Sequence, residues 1–215
     1  MENENSNIVI DTGEYSIKAG FAGEADPRVI FPTLSGKPKA NSLMGGGGSG
    51  SYYGDEAKSK QGTLSLTNPI QGGSITNWED MERLWSYTFT SQLNTSSEDA
   101  NVLLTGTPYG SKNDIEKMAT FMFESLEVSN LYFASQEVLA LYASGKTTGT
   151  VINSGEGITS VMPIYEGAPI TGAGCRIQLA GKDITDYLKV LLKEKGHDYK
   201  TPIEMDIVRD IKEKL

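Results

Sequence analysis

Ile10-Asp11-Thr12-Gly13-Glu14 recurs far along the chain as Ile152-Asn153-Ser154-Gly155-Glu156. Each copy sits between two apolar, β-branched runs, the pattern of a hairpin closed by a tight glycine bend. Residues 7–11 (NIVID) and 16–22 (SIKAGFA) make the first hairpin, 150–153 and 158–165 the second. A bend of a small residue and glycine lets neighbouring backbone N–H groups point outward together, and such concave clusters bind phosphate oxygens. Two of them, one from each half of the chain, would be able to clamp a triphosphate from both sides. Asp11, at the end of a strand, is placed to hold water on a Mg²⁺ carried by that phosphate; magnesium keeps several of its waters, so an outer-sphere carboxylate suffices. Taken singly, each bend is equally well an ordinary turn, and the repetition gives the pair its weight. The chain has no GxxxxGK[ST] and no convincing GxGxxG, which disfavours a P-loop or a Rossmann site.

Around the hairpins, strands and helices are mixed, so the expected class is α/β. Residues 28–32, 101–105 and 131–134 read as further strands. Asn77 is placed to cap a helix in which Trp78, Met81, Leu84, Trp85 and Phe89 recur at helical spacing. Ile115, Met118, Ala119, Met122 and Leu126 mark another. Residues 136–144 are apolar nearly all round and closed by Gly145, which predicts a short buried helix. Ile184, Tyr187, Leu188, Leu191 and Leu192 mark a helix ended by Gly196. The pattern over 203–215 keeps helical spacing to the final residue with no stop signal, so the chain is expected to end within a larger fold, leaving apolar faces on its last two helices. Within 42–51, GGGGSGS is either a mobile loop or an inserted flexible linker.

Charge and rare residues narrow the chemistry. There are 19 Lys+Arg against 28 Asp+Glu, a net charge of −9 with no local basic cluster, so no nucleic-acid partner is expected. One cysteine, Cys175, excludes an internal disulfide and a multi-thiolate zinc site. The single histidine, His197, lies in a Gly-His-Asp turn and reads as solvated. No export signal or membrane span is visible, so no membrane partner is expected, and the compartment expected is a reducing one, most simply the cytoplasm.

The stretches IVIDTG, KAGFAGEADPR with FPTLSGKP, YYGDEAKSK, TNWEDMERLW, LYASGKTTG, VMPIYEG, LAGKDITDYL and IVRDIKEKL together resemble the front part of actin, over 7–215. The resemblance implies a two-lobe nucleotide-cleft fold with a ribonuclease H-like core, truncated before the second lobe is complete. Residues 1–144 would be the first lobe, with a small inserted subdomain at about 33–69, and 145–215 the start of the second. The ligands implied are ATP or ADP with Mg²⁺, the setting a cytoplasmic cytoskeleton, and the partners other actin chains or actin-binding proteins. By similarity, Asp11 orders Mg²⁺ waters, Gln136 positions the attacking water, and Asn153 stands at the third catalytic position. Gly13, Glu14, Tyr15 and Lys18 form the first phosphate side, and Gly155, Glu156 and Gly157 the second. Gly181, Arg209, Lys212 and Glu213 match the nucleoside side. Each has a blander reading: Lys212 and Glu213 as solvated helix charges, Gln136 as a helix N-terminal residue, Lys18 as a surface lysine.

The departures bear on activity. Glu14 replaces a serine whose hydroxyl would meet the terminal phosphate; two like charges at ~4 Å repel by about 4 kcal/mol at an effective dielectric of ~20 unless the side chain turns away. Tyr15 stands where a second glycine is usual, Asn153 where the second lobe carries Asp, and Ser160 where a histidine helps organise the water. Together they imply an actin-type ATPase with a degenerate site and weak or slow hydrolysis. Residues 39–52 occupy the loop that docks into the next subunit of a filament. Its glycines are costly to order, and Gly72 stands where actin has a modifiable histidine, so self-assembly is expected to be impaired. The alternative is a non-catalytic actin-related scaffold that binds partner proteins. A sugar- or acid-phosphotransferase of the same superfamily would need a cleft Asp as base, for which no candidate has supporting spacing.

Overall fold

The computed structural model describes residues 6–39, 50–106 and 112–215. The glycine run at 45–48 lies outside them. Both expected hairpins form: β1 (Asn7–Thr12) pairs antiparallel with β2 (Ser16–Phe21), and β3 (Val29–Pro32) follows on the far side of β2. Then come β4 (Ser35–Pro38), β5 (Tyr52–Tyr53), helix α1 (Gly54–Ser59) and β6 (Leu64–Thr67). Here β4 is the middle strand of a small sheet of its own, with β5 and β6 on either side. A two-stranded ribbon, β7 (Ile70–Gln71) and β8 (Ser74–Ile75), turns through Gly72 and Gly73, both at positive φ.

Helix α2 (Trp78–Tyr87) begins where Asn77 accepts the Asp80 N–H through its side chain at 3.1 Å. Asp80 is itself buried and takes hydrogen bonds from Ser35 and Asn77, each at 2.8 Å, which ties the helix to the small sheet. A π-helical turn at Thr88–Leu93 extends the helix. Strand β9 (Asn101–Gly106) then runs parallel to β1, and β10 (Asn130–Ser135), after helix α3 (Lys112–Thr120), runs parallel to β9. The first sheet therefore has the order β10-β9-β1-β2-β3 and is mixed. Its main core joins Ile8, Ile10, Ile17, Val102 and Leu104 to Met81, Leu84, Trp85 and Phe89 of the helix.

Helix α4 (Gln136–Ala143) leads to the second sheet, in which β11 (Gly149–Ser154) pairs with β12 (Thr159–Tyr165). The short strands β13 (Ala168–Pro169) and β14 (Cys175–Ile177) also pair with β12. Its core is small: Leu141, Met162 and Ile164, with Val138 and Val151 against them. Helix α4 departs from its expected burial. Leu141 and Glu137 are covered, but Tyr142 and Ala143 are exposed, because only one face of the helix rests on that small cluster.

Helices α5 (Gly181–Glu194) and α6 (Pro202–Lys214) pack on each other. α6 starts with Pro202 behind a Thr201–Glu204 capping box. Ile184, Tyr187 and Leu191 of α5 and Ile207 of α6 are exposed. His197 is exposed too. Among the described residues no helix is long and apolar enough to cross a membrane.

Candidate functional site

The carboxyl ends of the parallel strands β1, β9 and β10 converge, and in open α/β sheets ligands bind beyond such ends. Asp11 comes from β1, Thr105 from β9, and Gln136 from the start of α4 directly after β10. The Thr105 hydroxyl and the Gln136 amide both donate to Asp11 Oδ1, at 2.7 and 2.6 Å. Lys18 Nζ donates to Oδ2 at 3.1 Å. The Asn153 amide donates to Gln136 Oε1 at 3.3 Å, so one hydrogen-bonded chain runs from the first hairpin through Gln136 to the second.

The two bends close identically. Gly13 N–H donates to Ser16 O at 3.1 Å, and Gly155 N–H to Ile158 O at 3.0 Å. The strand registers match as well: Asp11 faces Lys18 in one ladder, and Asn153 faces Ser160 in the other. Gly13 is needed for close approach, since a Cβ there would stand 2.8 Å from the Ser16 carbonyl oxygen. Among the described residues, the backbone amides of Glu14, Tyr15, Glu156 and Gly157 have no hydrogen-bond acceptor. These are the free N–H groups that an oxyanion uses.

The bends face one another. A Cβ built on Gly157 would collide with the Glu14 carboxylate, and Glu14 Oε2 accepts the Gly73 N–H at 3.2 Å. The Glu14 carbonyl is fixed by Asn68 Nδ2 at 2.6 Å, and Thr33 holds the Gly13 carbonyl at 2.7 Å. Burial pushes the Glu14 carboxyl above its ordinary 4.5, and the neighbouring Glu156 charge adds to the rise; the Gly73 N–H, Lys182 and the Gly72 backbone act the other way.

Beside the second bend, Gly181 N–H donates to Gly155 O at 2.9 Å and Lys182 N–H to Glu156 O at 2.8 Å, so the start of α5 is docked on the bend. Lys212 Nζ reaches Gly181 O at 2.9 Å. Arg209 pairs with Glu156 at 2.6 Å and with Asp206 at 3.2 Å, and its guanidinium lies 4.6 Å from the centre of the Tyr15 ring. Its Nε is buried with no hydrogen-bond partner among the described residues. Lys58 meets Asp206 at 3.5 Å. Glu213, which the sequence placed with Arg209 and Lys212, is exposed on α6.

Ser160 does not turn towards the bends. It is buried and donates to Glu137 Oε1 at 2.6 Å, while Ser135 donates to Oε2 at 2.7 Å. Glu137, Thr105 and Gly73 adjoin these groups and are not picked out by the sequence reading, which singles out Gly72 only as a departure from a histidine. Thr105 had a signal: it ends a strand of buried type, beside the end of β1.

The donor set fits Mg²⁺ held chiefly by phosphate and water. Among the described residues no three His, Cys, Asp or Glu side chains gather as a metal site. Asp11 Oδ1 already takes two hydrogen bonds, whereas Oδ2 takes only that from Lys18 and keeps capacity for a metal-bound water.

A family model described as Actin matches residues 2–215. Members of this family are typically cytoskeletal and generally bind a nucleotide with magnesium. With nearly the whole length matched, the chain belongs to the actin family.

Proposed function

We propose that the gap between the two bends binds ATP or ADP with Mg²⁺ and that hydrolysis there is weak or slow. The observation that carries this reading is the matched pair of bends, each with unpaired amides, facing one another above the Asp11–Gln136–Asn153 chain. In this reading 1–144 and 145–215 act as two lobes, with a small subdomain at about 33–69, and the nucleotide bridges them. The amides of both bends bind phosphate oxygens, Asp11 orders metal-bound water, and the Gln136 amide orients the attacking water. Gly181, Arg209 and Lys212 flank the nucleoside. Mg²⁺ supplies neutralisation of the phosphate charge.

Weak turnover follows from the second hairpin. Asn153 is an amide and takes no proton, and the Ser160 hydroxyl is committed to Glu137. The test is phosphate release measured together with bound-nucleotide content. Bound adenine nucleotide with turnover well below that of an ordinary actin supports the reading, and ordinary turnover overturns it. Asn153→Asp should raise release about tenfold or more if proton handling limits the reaction. The proposed setting is a cytoplasmic cytoskeleton, with actin chains or actin-binding proteins as partners and self-assembly weakened by the glycine-rich loop.

A second reading, a non-catalytic scaffold, is favoured by one observation. Glu14 against Gly157, Tyr15 against Arg209 and Lys58 with Asp206 already join the two halves through protein contacts alone. Absence of bound nucleotide from a folded, partner-binding protein decides for it.

A further inference from the structure

Three glycine turns that are remote in sequence converge on one carboxylate. Glu14 belongs to the first bend, accepts the Gly73 N–H of the β7–β8 turn, and lies against Gly157 of the second bend. Its carbonyl is anchored by Asn68, so the residue is held at both ends. An oxyanion therefore already stands between two bends whose free amides suit oxyanions. Lys18, the cation of the first hairpin, is paired with Asp11, and the cation whose charge acts on Glu14 is Lys182 at the start of α5. The nucleoside side is arranged differently: Gly181, Lys212 and Arg209 are tied to the second bend, and Arg209 reaches the first bend only at the Tyr15 ring.

Resting on the reading of the cleft as an adenine-nucleotide site, we propose that Glu14 stands in for the outermost phosphoryl group and makes the cleft selective for a nucleoside diphosphate over the triphosphate. A diphosphate leaves the space between the bends to the carboxylate. A triphosphate pushes a third phosphoryl group into it, and two anions then stand against each other between the bends. The cost falls on the longer ligand alone, so Glu14 is a specificity-determining residue. It also supplies a reason for slow turnover that is separate from Asn153: the hydrolysable ligand is the one excluded.

The test is calorimetric titration of Mg·ADP and Mg·ATP into the wild-type chain, Glu14→Gln and Glu14→Ser. The wild type is expected to bind Mg·ADP more tightly by about tenfold or more, the ratio that ~1.4 kcal/mol of discrimination produces. Both variants are expected to bring the two affinities together, chiefly by tightening Mg·ATP. Glu14→Gln keeps the shape and removes the charge, and a melting curve on each variant reports whether it folds. Equal affinities in the wild type, or a preference that survives in both variants, overturns the proposal while leaving the nucleotide site intact. Failure of all three folded proteins to bind either ligand overturns the reading of the cleft, and the proposal with it.

Discussion

The two hairpins carry nearly the same five residues and the same backbone, yet their surroundings give the copies different tasks. Ile10 and Ile152 are equivalent by register, but Ile10 is 0% exposed and Ile152 is 70% exposed. β1 lies inside a five-stranded sheet with α2 packed over it, whereas β11 is an edge strand with one neighbour. Lys18 and Ser160 are likewise equivalent, facing Asp11 and Asn153. Lys18 is partly solvated and pairs with Asp11 between the sheet ends, while Ser160 is buried and serves the Glu137 carboxylate. A repeated local sequence thus sets backbone geometry, and the neighbours decide which copy presents a charge to solvent and which carries packing.

The largest effect expected from this asymmetry is at the isoleucines. Ile10→Ala should cost about 2–5 kcal/mol, because it empties a close-packed site. Ile152→Ala should stay within ~0.5 kcal/mol of wild type. Urea unfolding of both variants measures the contrast, and similar losses would mean that β11 is covered in solution. The next effect separates the facing residues. Ser160→Ala removes one of the two hydroxyl donors on buried Glu137 and should cost about 1–3 kcal/mol. Lys18→Ala breaks a solvated ion pair and should cost less than ~1 kcal/mol. A reversed order would show that the cleft-side charge pair, rather than the pair behind it, holds the hairpin structure together.

What could be read from the sequence divides along the same line. The bends, the flanking strands and the α2 cap are local, so Gly13, Gly155 and Asn77 announced themselves. The Asp11–Gln136 bond spans 125 positions, and the resemblance named both ends without fixing their contact. The side chains that fill the gap were not legible. Whether Glu14 turns outward or across depends on the Gly73 amide, 59 positions away, and on the missing Cβ of Gly157. Glu137 was hidden for another reason. In a helix that reads as apolar, one carboxylate passes for a solvated end residue, and nothing local indicates that Ser160 of β12 covers it. The exposed face of α4 was misjudged because apolar composition predicts burial, while the second sheet offers only a small cluster to bury it against.

The smallest expected effect compares the glutamates of the two bends. Glu156 is answered by Arg209 at 2.6 Å, whereas the environment of Glu14 is dominated by burial, which raises its pKa above the ordinary 4.5. Well below that value, folded and unfolded chains both carry a protonated Glu14. As the pH rises, the unfolded chain ionises first and the folded chain only later. Stability that Glu14 contributes in acid is therefore lost from about 4.5 upward through the folded pKa, and it stays lost at neutrality. Gln does not ionise, so Glu14→Gln should melt above wild type near pH ~7, with the gap closing as the pH falls towards ~4. Half-exposure and solvent screening keep that gap small. Glu156→Gln should shift the melt the other way at neutral pH, because it leaves a largely covered guanidinium without its closest anion. Melting curves for the three proteins across that pH range read both signs at once. Parallel curves for wild type and Glu14→Gln would place the carboxylate in open solvent, where it neither opposes a third phosphoryl group nor distinguishes one bend from the other.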